Sequence, residues 1–155
     1  MDHELRLRRV ESLEEIRCLK ARYCDLCDDG YDADALVGLF TEDGAWDGGD
    51  LGRFEGRQAL HRFFSNMPRT MSFALHHITN SAIRISEDCR TADATWYLLQ
   101  TATLQRNNRA VLLAGRYHDE LVHDGRQWRF RQMRIRTRFF SPLDEGWAQT
   151  PNLLS

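Results

Sequence analysis

Lysine is almost missing from this chain of 155 residues. Of its 21 basic residues only Lys20 is a lysine, and the arginines run from Arg6 to Arg138 without forming a basic block. Against 23 acidic residues the formal charge is -2, so no positive excess exists to neutralise a phosphate backbone or an anionic membrane surface. Neither nucleic acid nor membrane is an expected partner. No window approaches the roughly 18 apolar residues of a membrane helix, and the opening MDHELRLRRVESLEEI lacks the apolar stretch of a signal peptide. A cytoplasmic location is expected. The four cysteines, Cys18, Cys24, Cys27 and Cys89, are too few and too uneven for a disulfide framework. Cys24 and Cys27 form a C-x-x-C with no second pair to complete a metal site, and they lie in a helical pattern, which points to buried reduced thiols.

The sequence also lacks G-x-G-x-x-G, a P-loop, a G-x-S-x-G elbow and H-E-x-x-H, so nucleotide-dependent, serine-hydrolase and zincin chemistries have no support. His118, Glu120 and His123 fall near one hairpin, but alternation puts His123 on the opposite face from the other two. No metal and no cofactor is expected.

What is present is a soluble composition, 42% hydrophobic, that fits one domain over 1–155. Val10, Leu13, Ile16, Leu19, Tyr23 and Cys27 recur at steps of three and four, the period of an amphipathic helix, with Ser12, Glu14 and Glu15 as an early cap and acidic first turn. That helix should end near Asp28-Asp29-Gly30. A short helix follows from Asp32 to about Phe40, then a strand near Ala45-Trp46, a Gly-rich loop and a third helix from Glu55. From Ser72 the period changes to four long β-rich runs, separated by turn signals at Ser86-Glu87-Asp88, Asn107-Asn108 and Asp124-Gly125. Three helices followed by a curved antiparallel sheet give an α+β fold, and a sheet curled around helices leaves a pocket. Val111, Leu113, Met133 and Ile135 suggest an apolar outer face and hence a homo-oligomer. Residues 141–155 read as a tail over the pocket or a neighbouring subunit.

Polar residues set in apolar pattern mark the candidate chemistry. Tyr23 and Asp28 sit on the first helix. In the first long strand, His76-His77-Ile78-Thr79-Asn80, alternation gives His76, Ile78 and Asn80 one face and His77, Thr79 and Ser81 the other, so only one histidine can face a pocket. Periodicity does not choose between them, because Phe73, Leu75, Ile83 and Ile85 lie on the His77 side while Ala74, Ile78 and Ala82 lie on the His76 side. Trp46, Phe54, Tyr97 and Gln100 are further lining candidates, with Trp96 and Phe139 beside them. Arg134, Arg136 and Arg138 share one strand face and read as a solvated or interface stripe.

From Ile16 to Pro142 the chain resembles the SnoaL-like branch of the nuclear-transport-factor-like superfamily, which includes scytalone dehydratase, bile-acid dehydratases and hexachlorocyclohexane dehydrochlorinase. The resemblance implies a cone-shaped α+β barrel. It also implies a helix Tyr-x4-Asp, matched by Tyr23 and Asp28, whose aspartate orients a strand histidine, and the H-x-x-T-N match places that histidine at His76. WYL at Trp96 to Leu98 is similar to the bile-acid dehydratase strand, whereas Gln100 and Thr101 stand where relatives carry an acidic or histidine side chain, and Gly48 stands near their second tyrosine. Relatives form trimers or dimers. An aspartate beside a histidine stabilises the imidazolium and fixes which nitrogen stays free, the arrangement of a general base. The implied activity is a cofactor-independent, dehydratase-like lyase acting on a small hydrophobic cyclic molecule, with Tyr23 donating a hydrogen bond. The alternatives are an isomerase, a polyketide cyclase, or a non-catalytic small-ligand-binding domain.

Overall fold

A computed structural model describes residues 2–154. Helix α1 spans His3–Asp28, α2 Ala33–Val37 and α3 Arg57–Thr70, and the strands are β1 Phe40–Asp47, β2 Arg53–Glu55, β3 Met71–Ile85, β4 Thr91–Leu104, β5 Arg109–His123 and β6 Trp128–Pro142. Strand order is β2-β1-β6-β5-β4-β3. The expected α+β cone is there, three helices packed on a curved sheet, but the sheet has six strands and is mixed. The β3 to β6 meander is antiparallel as expected, whereas β1 joins β6 in parallel and carries β2 on its far edge. None of the helices is long and apolar enough to cross a membrane, among the described residues.

Helix α1 begins well before Ser12, which is buried mid-helix and caps nothing. Its inward stripe is Ser12, Ile16, Lys20, Tyr23, Cys24 and Cys27, while Val10 faces solvent. The stripe stops at the expected place. The amides of Gly30 and Tyr31 donate back to Cys27 and Leu26, and both residues take left-handed backbone, which turns the chain off the helix axis. Asp32 then caps α2 through Ala35 N. The second helix is shorter than expected, because Phe40 already belongs to β1.

Side chains at alternate positions of β4, β5 and β6 enter the core against Ile16, Leu60 and Phe64. Fully burying Leu60 or Phe64 contributes about 1.5–3 kcal/mol each. Val111, Leu113, Met133 and Ile135 all belong to this inner set, so they are core and do not make an outer apolar face. The exposed apolar side chains of the sheet are Phe73, Leu75, Tyr97 and Leu99, on the outside of β3 and β4.

Two of the sheet's five register shifts fall at Gly115 and after Thr79. In β5 the register shifts at Gly115, where a Cβ would stand 2.7 Å from Arg136 O, so the strands approach closely only because the residue is glycine. In β3 the register shifts between Thr79 and Ala82, with Asn80 in left-handed backbone. Before that bulge Ala74, His76 and Ile78 point inward, and after it Ile83 and Ile85 do.

Candidate active site

α1 and β3 meet at one acid–base pair. Asp28, in the last turn of α1, accepts both the backbone N–H of His76, at 3.0 and 3.1 Å, and the ring Nδ1, at 2.5 Å. The His76 side chain is only 5% exposed and that of Asp28 16%. A carboxylate that also takes the histidine's own amide holds backbone and ring together, so the ring has one orientation. With Nδ1 donating to Asp28, Nε2 is the nitrogen left for a ligand. His77 is on the outer face and exposed.

His76 lines a cavity of about 980 Å³ enclosed by α1, α3 and the sheet. Gln100, directly opposite His76 on β4, lines it as well. One wall is aromatic: the Phe63 ring stacks on Phe54 with centroids 4.3 Å apart and packs on Trp46 at 4.5 Å. Tyr23 stands on the floor, its hydroxyl accepting from Trp46 Nε1 at 3.1 Å and also hydrogen-bonded to the Cys27 thiol. Burial, with Cys27 adding to it, pushes the Tyr23 hydroxyl well above its ordinary range, so it stays a protonated donor. Burial likewise pushes the Cys24 thiol up to about 12 and the Cys27 thiol well up, and both are free, inert thiols.

Two expected lining residues are elsewhere. Tyr97 takes an outward position on β4, exposed, with the Arg116 guanidinium 5.3 Å from its ring centroid. Asn80 would share the face of His76 under strict alternation, but the bulge rotates it out to solvent. Trp96 points inward yet donates to Asp119 below the cavity, and Phe139 stacks on Trp147 outside it. Arg134 and Arg136 form ion pairs with Asp47.

Other residues went unnoticed in the sequence. Tyr31 and Tyr117 line the cavity, and burial raises both hydroxyls. Beneath Tyr117 lies a second acid–base pair, Lys20 Nζ to Asp119 Oδ2 at 2.9 Å. The signals were the place of Lys20 on the α1 stripe, four residues after Ile16, and that of Asp119 between the inward Tyr117 and Leu121. The C-terminal segment also contributes. Residues 141 and 142 belong to β6, Leu153 N donates to Phe140 O, and Leu153 and Leu154 line the cavity. The last residue of the expected tail, Ser155, lies outside the described residues.

The sequence profile of the SnoaL-like domain matches residues 8–134, a span that contains Tyr23, Asp28 and His76. The chain belongs to the SnoaL-like domain family. Solved structures share its fold. A candidate aromatic ring hydroxylase from Novosphingobium aromaticivorans is 27% identical, with a TM-score of 0.78 over 86% of this chain and 94% of that one. A candidate scytalone dehydratase from the same organism is 21% identical, with a TM-score of 0.79 over 87% and 89%. A type 3 hexachlorocyclohexane dehydrochlorinase from Novosphingobium barchaimii is 22% identical, with a TM-score of 0.78 over 88% and 93%. No curated protein matches the chain significantly. In this SnoaL-like chain the chemistry available is that of a rigidly held imidazole facing an apolar space, with a neutral phenol lining the same cavity.

Proposed function

We propose that this protein is a cofactor-independent lyase of the dehydratase type, acting on a small hydrophobic cyclic substrate. The observation that carries the reading is the Asp28–His76 pair presenting one imidazole nitrogen to a cavity of about 980 Å³ with an aromatic wall. The pair suits removal of a proton from a carbon next to one that bears a leaving group. His76 Nε2 takes the proton, the C–H electron pair becomes the new double bond, and the hydroxyl leaves. The imidazolium returns its proton to that hydroxyl, which departs as water. Asp28 keeps the ring in register and stabilises its positive charge while it lasts. Tyr23 donates to the substrate carbonyl or to the departing oxygen, where negative charge grows. Trp46 fixes the Tyr23 hydroxyl, and Phe54 with Gln100 shapes the space around the ring. Isomerisation and ring closure begin with the same proton abstraction beside a carbonyl, and the products tell the three apart.

A panel of cyclic β-hydroxy ketones and related alcohols, assayed with the wild type, His76→Ala and His77→Ala, tests this. We expect water loss by the wild type and His77→Ala, and a fall of about 10²–10⁴-fold for His76→Ala. Equal rates in all three proteins would overturn the assignment.

A further inference from the structure

Eight of the twenty arginines form ion pairs: Arg8 with Glu4 and Arg17 with Glu14 along α1, and six on the sheet. Arg53, Arg134 and Arg136 pair with Asp47, Arg109 with Asp144 and Glu145, Arg129 with Asp124 and Arg131 with Glu120. Of the twelve that form none among the described residues, three are gathered at the cavity. Arg62, Arg69 and Arg106 line the cavity, are exposed, and have no ion-pair partner among the described residues. Arg62 and Arg69 are two helical turns apart on one side of α3. Arg106 reaches the same rim because Gln105 N donates to Thr70 O at 2.9 Å, which locks the β4–β5 turn onto the end of α3. No aspartate or glutamate among the described residues lines the cavity, although the chain as a whole is slightly acidic. The helix C-terminus accounts for one cation, Arg69, in its last turn. It does not account for Arg62, and it does not explain why a turn brings Arg106 beside two like charges.

We propose that Arg62, Arg69 and Arg106 form an anion subsite at the cavity mouth, which holds the carboxylate or phosphate of a substrate whose apolar body extends to His76. Guanidinium groups suit this task because they offer several donors to a planar or tetrahedral oxyanion, and an apolar floor below them selects molecules that are anionic at one end only. The aromatic wall takes the body and the rim takes the charge. This rests on the cavity being the ligand site proposed above, and it narrows the substrate class to apolar anions.

The experiment uses the full chain and a neutral fluorescent reporter, N-phenyl-1-naphthylamine, displaced by three competitors with the same ring: naphthalene-2-acetate, 2-naphthyl phosphate and 2-naphthylethanol. At low ionic strength the wild type should prefer at least one anion over the alcohol by about tenfold, and 0.5 M salt should erode that preference. Which anion wins identifies the headgroup. In R62Q/R69Q/R106Q, three exposed changes, the competitors should bind alike while the reporter binds within about twofold of wild type. No preference in the wild type, or a preference that survives the triple change, would overturn the subsite and leave the cavity reading standing. Failure of the neutral reporter to bind would overturn the apolar cavity as a ligand site, and the subsite with it.

Discussion

Two charged side chains of helix α1, eight residues apart, meet a titratable partner on the sheet, and their fates differ. Lys20 meets Asp119 of β5 at 2.9 Å with side chains 1% and 0% exposed, under the ring of Tyr117 and beside Trp96 Nε1. Asp28 meets His76 of β3 at 2.5 Å, and His76 lines the cavity. Both are short contacts between an acid and a base on the same two layers. The first is sealed, since neither member lines the cavity, and its proton has nowhere to go. The second leaves one ring nitrogen facing space. Access, more than the strength of the pair, is what distinguishes the two.

The largest effect should come from the open pair. Asp28→Asn keeps the size of the side chain but loses the charge that supports the imidazolium, and turnover should fall about 10²–10⁴-fold while the melting temperature changes little. A large loss of stability with activity retained per folded molecule would reverse the two roles. The sealed pair should show the opposite response. Lys20→Met strands the Asp119 carboxylate, whose Oδ1 already lacks a partner, and should cost about 3–5 kcal/mol in urea unfolding. Removing both charges, as Lys20→Met with Asp119→Leu, should recover most of that and keep activity, because apolar packing replaces a buried pair at little net cost. If the double variant folds but is inactive, the sealed pair takes part in the chemistry.

The smallest effect is in pH. Burial holds the Asp119 carboxyl above its usual range, against the pull of Lys20 and Trp96. The unfolded chain therefore gives up this proton first as pH rises, so the group's contribution to stability is greatest in acid and declines as pH climbs from the unfolded to the raised folded value. Denaturation curves across that window should show the decline in wild type and not in Asp119→Asn. A parallel slope in both would assign it to another group.

Much of this was legible beforehand because it depends on local pattern. The helix α1 with Ile16, Tyr23 and Cys27 turned inward, its stop at Gly30 and the three hairpins follow from spacing and turn residues, and the helix motif with the strand histidine suggested which residues should meet. What spacing could not supply was the phase of β3. Alternation assigned Phe73, Leu75, Ile83 and Ile85 to one side, yet the bulge at Asn80 puts the first two outside and the last two inside. Asn80 was misplaced for the same reason, and the ambiguity between His76 and His77 came from counting across the bulge. Val111, Leu113, Met133 and Ile135 were set on the wrong face because alternation pairs residues without saying which side the helices cover. The Lys20–Asp119 pair joins positions 99 residues apart, a contact no local pattern holds.

The scarcity of lysine has a practical consequence. The only ε-amine on the chain is 1% exposed in the core, so an acylating reagent can reach it only when the fold opens. The rate at which Lys20 is acylated is then a built-in clock for core opening, with no engineered label. Any molecule that binds the folded cavity slows that clock in proportion to its occupancy, so candidate substrates can be ranked by mass spectrometry before a reaction is known.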